Sequence, residues 1–262
     1  MASLLRTPKN GCDWGPNDLL AYNIHIQLNQ DASKFFDVNS LPRPAVSNEI
    51  LTTLNADDMT DEANYKFVRY MDLAMDPAPA DESAVVDFTV CLLTILGYVS
   101  RKRLTRTRVD IPLTICGEQH HSRTDVCVVD EDDFILLLVQ EDKRHKDRKD
   151  PEPQLVAQAI AAFQSINTRR TRVLGQYPID AKVMLGIILV GSSPTFYEIC
   201  VTRELAQAVA LGQFPAKPTV MYAHLPEIRR PSRRLIEGMK PLDNRRSILA
   251  CYQAFKEGIV DW

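Results

Sequence analysis

A run of six large apolar residues constrains the fold of this 262-residue chain more than any other feature. Residues 134–139 read Phe-Ile-Leu-Leu-Leu-Val, and the polar residues Gln140 and Glu141 follow at once. A continuous apolar run of this length is typical of a strand that is buried on both faces of a sheet. We therefore expect residues 134–140 to form a central strand, with an abrupt change of polarity where it ends.

The segments around this run predict an ordered series of helices and strands. A proline-rich linker at 76–81 precedes a helix that Asp81 or Ser83 can cap and that ends near Gly97. Composition and periodicity then predict strands at 105–116 and 123–129, and a break in the first of these at Pro112 is left open. After the apolar run they predict a helix at 151–167, strands at 182–190 and 195–201, and helices at 203–211 and 244–259. The middle of the chain thus has the order helix, three strands, helix, strand.

Two flanking segments lack such patterns. We expect residues 1–79 to form an irregular acidic segment packed on a core at 80–213, because short apolar stretches stand there among Asp, Asn, Pro and Ser. Residues 214–262 are expected to form a C-terminal extension. Its first part, residues 215–241, is rich in proline and arginine and is also expected to be irregular, and it precedes the final helix.

Composition and cysteine spacing exclude several classes of protein. With 45% hydrophobic and 25% charged residues, the chain is typical of a globular protein rather than a disordered or fibrous one. No apolar run approaches the ~20 residues that span a bilayer, and the first 18 residues lack a signal-peptide core. The six cysteines form no CxxC pair, which argues against a zinc knuckle. We expect an intracellular protein, cytoplasmic or nuclear and not secreted, with reduced thiols and no membrane partner.

Charge is unevenly distributed along the chain. Residues 1–100 carry 6 Lys and Arg against 14 Asp and Glu, whereas residues 101–262 carry 25 against 20. The basic residues cluster at 101–108, 143–149, 169–172 and 229–234. Each cluster alone is typical of a solvated surface, but four together are suited to a phosphate-binding face, so nucleic acid is the expected partner. A further hypothesis is that the acidic first hundred residues cover this basic face.

Three charged residues at the end of the central strand form the main candidate site. Alternate side chains of a strand share a face, so Glu141 and Lys143 point together and Asp142 points away. A turn of three or five residues around position 132 would place Asp125, on the preceding strand, across from Val139 or Glu141 and on the face of Glu141. A two-residue turn would send Asp125 to the opposite face.

Such a group of charges has a plausible chemical role. Two carboxylates and an ammonium group at the end of an apolar strand are costly to bury unless they serve a function. Carboxylate oxygens suit Mg²⁺, or Mn²⁺ in its place, and the backbone carbonyl of Asp142 is an additional candidate ligand. Such a metal would polarise a phosphoryl oxygen and activate a water, while Lys143 would steer that water or stabilise charge on the phosphate.

This arrangement resembles the PD-(D/E)XK superfamily of restriction-endonuclease-like proteins over about residues 80–200. The Asp of the family motif falls on Asp125, the acidic residue on Glu141 and the lysine on Lys143, while Thr124 stands where the motif name has proline. The resemblance implies an α/β fold with a restriction-endonuclease-like core. That core has a helix, three strands, a helix and a strand in a mixed central sheet flanked by helices, here with N- and C-terminal elaborations.

The resemblance also implies further site residues and an activity. Members of the family often add a carboxylate from the first helix of the core. Glu82 is the first candidate for this residue and Asp87 is the second. Some branches add a glutamine from the helix after the motif, which would be Gln158 or Gln154. The implied activity is Mg²⁺-dependent hydrolysis of phosphodiester bonds in DNA or RNA. Two alternatives stay open: a catalytically idle module of this fold that binds nucleic acid or a protein, and an unrelated phosphoesterase that acts on nucleotides.

Two other sets of residues have simpler interpretations. His120 and His121, with Glu118, suggest a metal pair, but adjacent residues of a strand face opposite ways, and we expect a turn instead. Cys127 shares the predicted face of Asp125, yet no histidine is placed to act as its base, so we expect it to pack in the core.

Overall fold

A seven-stranded mixed sheet with helices on both faces forms the centre of the protein, which is therefore of the α/β class. The computed structural model describes residues 4–28, 30–77, 83–142 and 150–259. The strands are β1 (Ile24–Gln27), β2 (Arg103–Ile115), β3 (Glu118–Asp130), β4 (Ile135–Glu141), β5 (Ala181–Val190), β6 (Ser193–Thr202) and β7 (Thr219–His224). Their order across the sheet is β1-β7-β6-β5-β4-β3-β2.

The described helices lie between and around these strands. They are α1 (Pro16–Ala21), α2 (Ala32–Phe35), α3 (Asn48–Thr52), α4 (Glu62–Met75), α5 (Ala84–Ile95), α6 (Pro151–Arg172), α7 (Arg203–Leu211), α8 (Arg234–Glu237) and α9 (Leu242–Glu257), with 3₁₀ turns at Gly11–Asp13, Ala56–Asp58 and Pro231–Arg233. Among the residues that the structure describes, no helix combines the length and the apolar character needed to span a bilayer.

The connections between strands follow the order that the sequence predicts for the middle of the chain. Helix α5 precedes the antiparallel strands β2, β3 and β4, and α6 then leads to β5, which pairs in parallel with β4. Every residue of β4 is buried, as expected of a central strand. The α6 helix starts where its sequence predicts, because the Asp150 side chain accepts the Glu152 amide at 3.2 Å and Pro151 fills the first helical position.

Two hydrophobic cores lie on opposite faces of the sheet. One face packs against α4, α5 and α9, and its strand residues include Val126 and Val139. The other face packs mainly against α6, and its strand residues include Cys127 and Leu138. Membership of a β3 or β4 residue in one core or the other therefore shows on which face of the sheet its side chain lies.

Several expectations about the flanks and the first hairpin were wrong. The segments expected to be irregular contain α4, β1 and β7, and β1 and β7 extend the same sheet as a parallel pair. Strand β2 continues through Pro112 without a break. His120 and His121 lie in β3 rather than in a turn, because the hairpin closes through Cys116 and Gly117 alone. Both of these residues have positive φ, at 51° and 82°, which is typical of a tight two-residue turn.

A buried arginine joins the N-terminal segment to the last helix. Arg245 of α9 is fully buried, and burial lowers the pKa of its guanidinium to about 10. Its three nitrogens donate to backbone carbonyls on both segments, namely those of Ile50, Thr53, Leu54, Met239 and Lys240, at 2.8–3.2 Å. The free energy of burying this charge is thus offset by five hydrogen bonds, and three of them connect residues about 190 positions apart.

We predict that Arg245→Met lowers the free energy of unfolding by about 3 kcal/mol, because five backbone carbonyls lose the buried guanidinium that donates to them. Arg246 is the matched control, since it is exposed and, among the described residues, donates only to Leu51 O at 2.9 Å. Arg246→Met should cost less than about 1 kcal/mol. Urea unfolding followed by circular dichroism measures both, and equal losses would contradict this account of Arg245.

Candidate functional site

The register of the β3–β4 hairpin differs by one residue from the register that the sequence predicts at Asp125. Close to the turn, Val129 pairs with Ile135, and this pairing, if continued, would place Asp125 across from Val139 as expected. A β-bulge between Val128 and Val129 shifts the pairing, so that Val126 lies across from Val139 instead. The prediction that Asp125 lies directly across from Val139 or Glu141 was therefore wrong.

Near Asp125, the alternation of side chains between the two faces of the sheet is interrupted both on β3 itself and on the neighbouring strand β2. On β2, Thr107 lies beside α5, whereas Val109 packs on the α6 face, although residues two apart should share a face. Between them, Arg108 has a positive φ of 53°. On β3, Ser122 lies near Gly11 on the α6 side, whereas Val126 lies on the α5 side. Simple alternation therefore cannot assign the Asp125 side chain to one face.

The Asp125 carboxylate instead bridges the gap that opens between β3 and β4. Its Oδ2 accepts a hydrogen bond from the Glu141 backbone amide at 2.9 Å. Beside it, the Thr124 hydroxyl donates to Val139 O at 3.2 Å and to Val126 O at 2.9 Å. Since N and Cα are about 1.46 Å apart, Asp125 Oδ2 lies within about 4.4 Å of the Glu141 Cα. The structure thus brings these two predicted residues together through a side-chain hydrogen bond and not through the predicted pairing of β3 with β4.

Glu141 is the last residue of β4 and one of its buried polar residues. It is 9% exposed, and it pairs with Leu189 on the parallel neighbour β5. Because Val139 lies on the α5 side, alternation places Glu141 on that side too. Its backbone amide meets Asp125, and the next amide, that of Asp142, donates to Leu189 O at 2.8 Å. The end of β4 is thus held on both edges.

Two predicted site residues, Glu82 and Lys143, lie outside the described residues. Asp87, the second candidate for the additional carboxylate, is in the first turn of α5. There it accepts a hydrogen bond from the Ser83 hydroxyl at 3.0 Å. It lines a cavity of about 630 Å³ between α4, α5 and β2. The structure places Asp87 on the α5 face, which is the face to which alternation assigns Glu141.

Gln158 lies beneath the strand ends and contacts the backbone there. It is 1% exposed, and its Nε2 donates to Arg123 O at 2.9 Å and to Gln140 Oε1. Gln140 in turn is buried and donates to Glu141 O at 3.4 Å. These contacts place Gln158 on the α6 side of the sheet, where it can fix the positions of Arg123 and Gln140. The other predicted glutamine, Gln154, is one helical turn earlier on α6.

Asp142 faces a different part of the molecule, as alternation along β4 predicts. It lines a cavity of about 690 Å³ on the α6 side, together with Glu152, Ile188, Tyr197 and Arg234. The Tyr197 hydroxyl donates to Glu152 Oε1 at 2.8 Å in this cavity. The Asp142 carboxylate is therefore directed away from the Asp125–Glu141 site, which leaves its backbone carbonyl as the group considered for that site.

The donor set at the strand ends fits a hard divalent cation. The Asp125 carboxylate contacts the Glu141 backbone amide, so both acidic residues lie at the same strand ends, and Mg²⁺ is commonly bound through one or two carboxylates while it keeps several waters. Within residues 4–28, 30–77, 83–142 and 150–259, no group of three or more His, Cys, Asp or Glu side chains could hold a metal. The carboxylates of Asp125 and Glu141, with the Asp142 carbonyl, are therefore the groups at the strand ends to consider as metal ligands.

One of the four basic clusters expected to bind phosphate is largely paired with carboxylates of the same chain. Arg230 pairs with Glu237 at 2.7 Å and with Asp243 at 2.9 Å, and Arg233 pairs with Glu237 at 2.9 Å. Arg234 is buried and donates to Pro226 O. Most of the 229–234 cluster is therefore part of an internal ion-pair network. The 143–149 cluster lies outside the described residues.

The alternative chemical sites have structural explanations. Burial raises the pKa of the Cys127 thiol to about 11, which agrees with the interpretation that it packs in the core. His120 Nε2 lies 3.4 Å from Glu118 Oε2, two residues away on the same strand, and its Nδ1 lies 3.3 Å from Asn10 Oδ1. The His120 ring is thus engaged with two local partners.

Three residues of the site were missed in the sequence. Thr124 and Gln140 hold the strand ends with side-chain bonds, and Arg108 marks the interruption of β2. Gln140 could have been found, because it is the first polar residue after the apolar run. Arg108 has no such signal, since nothing in its neighbours predicts a left-handed conformation at a non-glycine residue within a strand.

Comparisons with known proteins assign no family to this arrangement. No protein-family profile matches the chain, and no curated protein is significantly similar to it. The functional argument therefore rests on the geometry of the site.

We predict that Asp125→Asn keeps the stability of the protein whereas Asp125→Ala does not. The asparagine amide oxygen can still accept the Glu141 amide, so its cost should be below about 0.5 kcal/mol, whereas alanine removes the acceptor and should cost about 1–2 kcal/mol. Thermal and urea unfolding measure the difference. Asp110→Ala is the control, because Asp110 is an exposed carboxylate 4.0 Å from Arg123, and a weak surface pair contributes little. Equal stability of all three variants would contradict the bridging role of Asp125.

Proposed function

We propose that the protein is a metal-dependent nuclease of the restriction-endonuclease-like type, which hydrolyses phosphodiester bonds in DNA or RNA. The observation that carries the proposal is the contact between Asp125 Oδ2 and the Glu141 amide at the ends of two adjoining strands. This contact joins the two acidic positions of the family motif, and Lys143 follows Glu141 by two residues. The order of α5, β2, β3, β4, α6 and β5 is consistent with the proposed core.

In this proposal each residue has a distinct task. Asp125 and Glu141, with the Asp142 carbonyl, hold Mg²⁺ or Mn²⁺, which when bound supplies a polarised phosphoryl oxygen and an activated water. Lys143 stabilises negative charge on the phosphate. Gln158 acts as a positioning residue, because its buried amide fixes the strand ends and reaches Arg123 and Gln140. Asp87 of α5 supplies the additional carboxylate, or Glu82 does, which lies outside the described residues.

One observation favours the alternative of a catalytically idle module. One oxygen of Asp125 already accepts the Glu141 amide, so this carboxylate has a structural use that would preserve it without catalysis. Such a module would bind nucleic acid or a protein and would release no product. Asp125→Asn separates the two functions, because it keeps the hydrogen bond and removes the charge that a metal needs.

We predict that the purified protein cuts nucleic acid with Mg²⁺ or Mn²⁺ and that EDTA stops the reaction. Asp125→Asn, Glu141→Gln and Lys143→Met should each lower the rate at least about 100-fold, since each removes a charge that acts on the transition state. Labelled single-stranded and double-stranded DNA and RNA, separated on denaturing gels, give the rates.

The matched controls are Asp110→Asn of β2 and Lys34→Met of α2, which remove exposed charges of the same kinds. Both should cut at the wild-type rate. Cleavage that persists in both Asp125→Asn and Lys143→Met would point to a contaminating nuclease and contradict the proposed site. Tight binding of nucleic acid without any cleavage in wild-type protein would instead support the idle module.

A further inference from the structure

A cavity beside the proposed nuclease site has a lining suited to a nucleotide. It occupies about 630 Å³ between α4, α5 and β2, within the range of pockets that hold small ligands. Val86, Val90 and Cys91 supply apolar surface from α5, and Tyr70 supplies an aromatic ring from α4. Thr107 of β2 lines it too, and Thr107 pairs with Val126, the residue after Asp125. The cavity thus begins about one strand spacing from the proposed metal site.

Arg108 provides an uncommitted cation at this cavity. Its backbone has a positive φ of 53°, a conformation that costs an arginine free energy and that is often found at functional positions. The interruption of β2 at this residue leaves Thr107 on the α5 side and turns the following residue to the α6 side. Arg108 is exposed, lines the cavity, and has no hydrogen-bond or ion-pair partner in the part of the chain that the structure describes.

Arg106, on the same strand, differs from Arg108 both in the face on which it lies and in having an ion-pair partner. It is also exposed, but its guanidinium lies 3.7 Å from Asp133, and it lines a small cavity with Ala162 and Ile166 on the α6 side. The two arginines, two residues apart, thus differ in face and in pairing. Only Arg108 is directed to the cavity next to Asp125.

We propose that this cavity binds an unpaired nucleotide that flanks the scissile phosphate, with its base against Tyr70 and its phosphate on Arg108. This inference rests on the proposed nuclease function and specifies its substrate as single-stranded nucleic acid or an unpaired end. A base within a duplex has both faces covered by its neighbours, so only an unpaired base can place a face against the ring of Tyr70. The Asp87 carboxylate, on the same wall, is placed to accept a hydrogen bond from a base N–H group.

The test measures the affinity for a labelled single-stranded oligonucleotide and for the duplex of the same sequence. All variants carry Asp125→Asn, so that no cleavage occurs. Arg108→Ala should weaken single-strand binding about tenfold and lower the slope of log affinity against log salt by about one, because one phosphate contact is lost. Arg106→Ala, the matched control, should change the affinity less than about twofold. Tyr70→Ala should weaken binding at least about fivefold, and Tyr70→Phe should keep it.

Each outcome decides one of the two claims. If Arg108→Ala and Arg106→Ala behave alike, or if the parent binds duplex as tightly as single strand, the cavity is not the nucleotide site, whether or not the wild type cleaves. If single-strand binding depends on Arg108 and Tyr70 while wild-type protein with Mn²⁺ leaves the same oligonucleotide intact, the cavity assignment stands and the nuclease function fails. Thermal unfolding of every variant confirms that the affinities belong to folded protein.

Discussion

The hydrogen bond from the Glu141 amide to the Asp125 carboxylate is the contact on which the site depends. It forms where β3 and β4 stop pairing through their backbones, so a side chain satisfies an amide that the neighbouring strand no longer reaches. The same contact keeps two acidic residues adjacent although the hairpin register is shifted by a bulge. A single interaction thus closes the end of the central strand and holds the Asp125 carboxylate beside the Glu141 backbone.

The left-handed conformation of Arg108 connects this contact to the nearby cavity. It interrupts β2 beside the point where β3 also changes face, so the two irregularities lie on neighbouring strands. A regular ladder would direct Thr107 and Val109 to one face, whereas the interrupted ladder directs one toward α5 and the other toward α6. The strain at Arg108 therefore accompanies a local geometry that presents its guanidinium, which has no ion-pair partner among the described residues, next to the proposed site of cleavage.

Local patterns predicted the central part of the fold but not its edges or its register. The apolar run at 134–139 indicated β4, and the helical periodicity of residues 151–167 indicated α6, because each pattern depends on neighbouring residues alone. Strands β1 and β7 were missed, since each is short and its partner is about 195 residues away in the chain. The register at Asp125 depended on a bulge at Val128 and Val129, for which two valines give no signal. The sequence therefore indicated that Asp125 and Glu141 lie close together, but it did not indicate that the Asp125 carboxylate accepts the Glu141 backbone amide.

A divalent cation at the strand ends is the central element of the proposed site, and anomalous diffraction from a crystal soaked in Mn²⁺ tests its position most directly. The predicted result is a peak bound by the carboxylates of Asp125 and Glu141, about 2 Å from their oxygens, that is absent from Asp125→Asn crystals. A saturating soak that leaves these carboxylates without a peak, or that places manganese only elsewhere, would contradict the account.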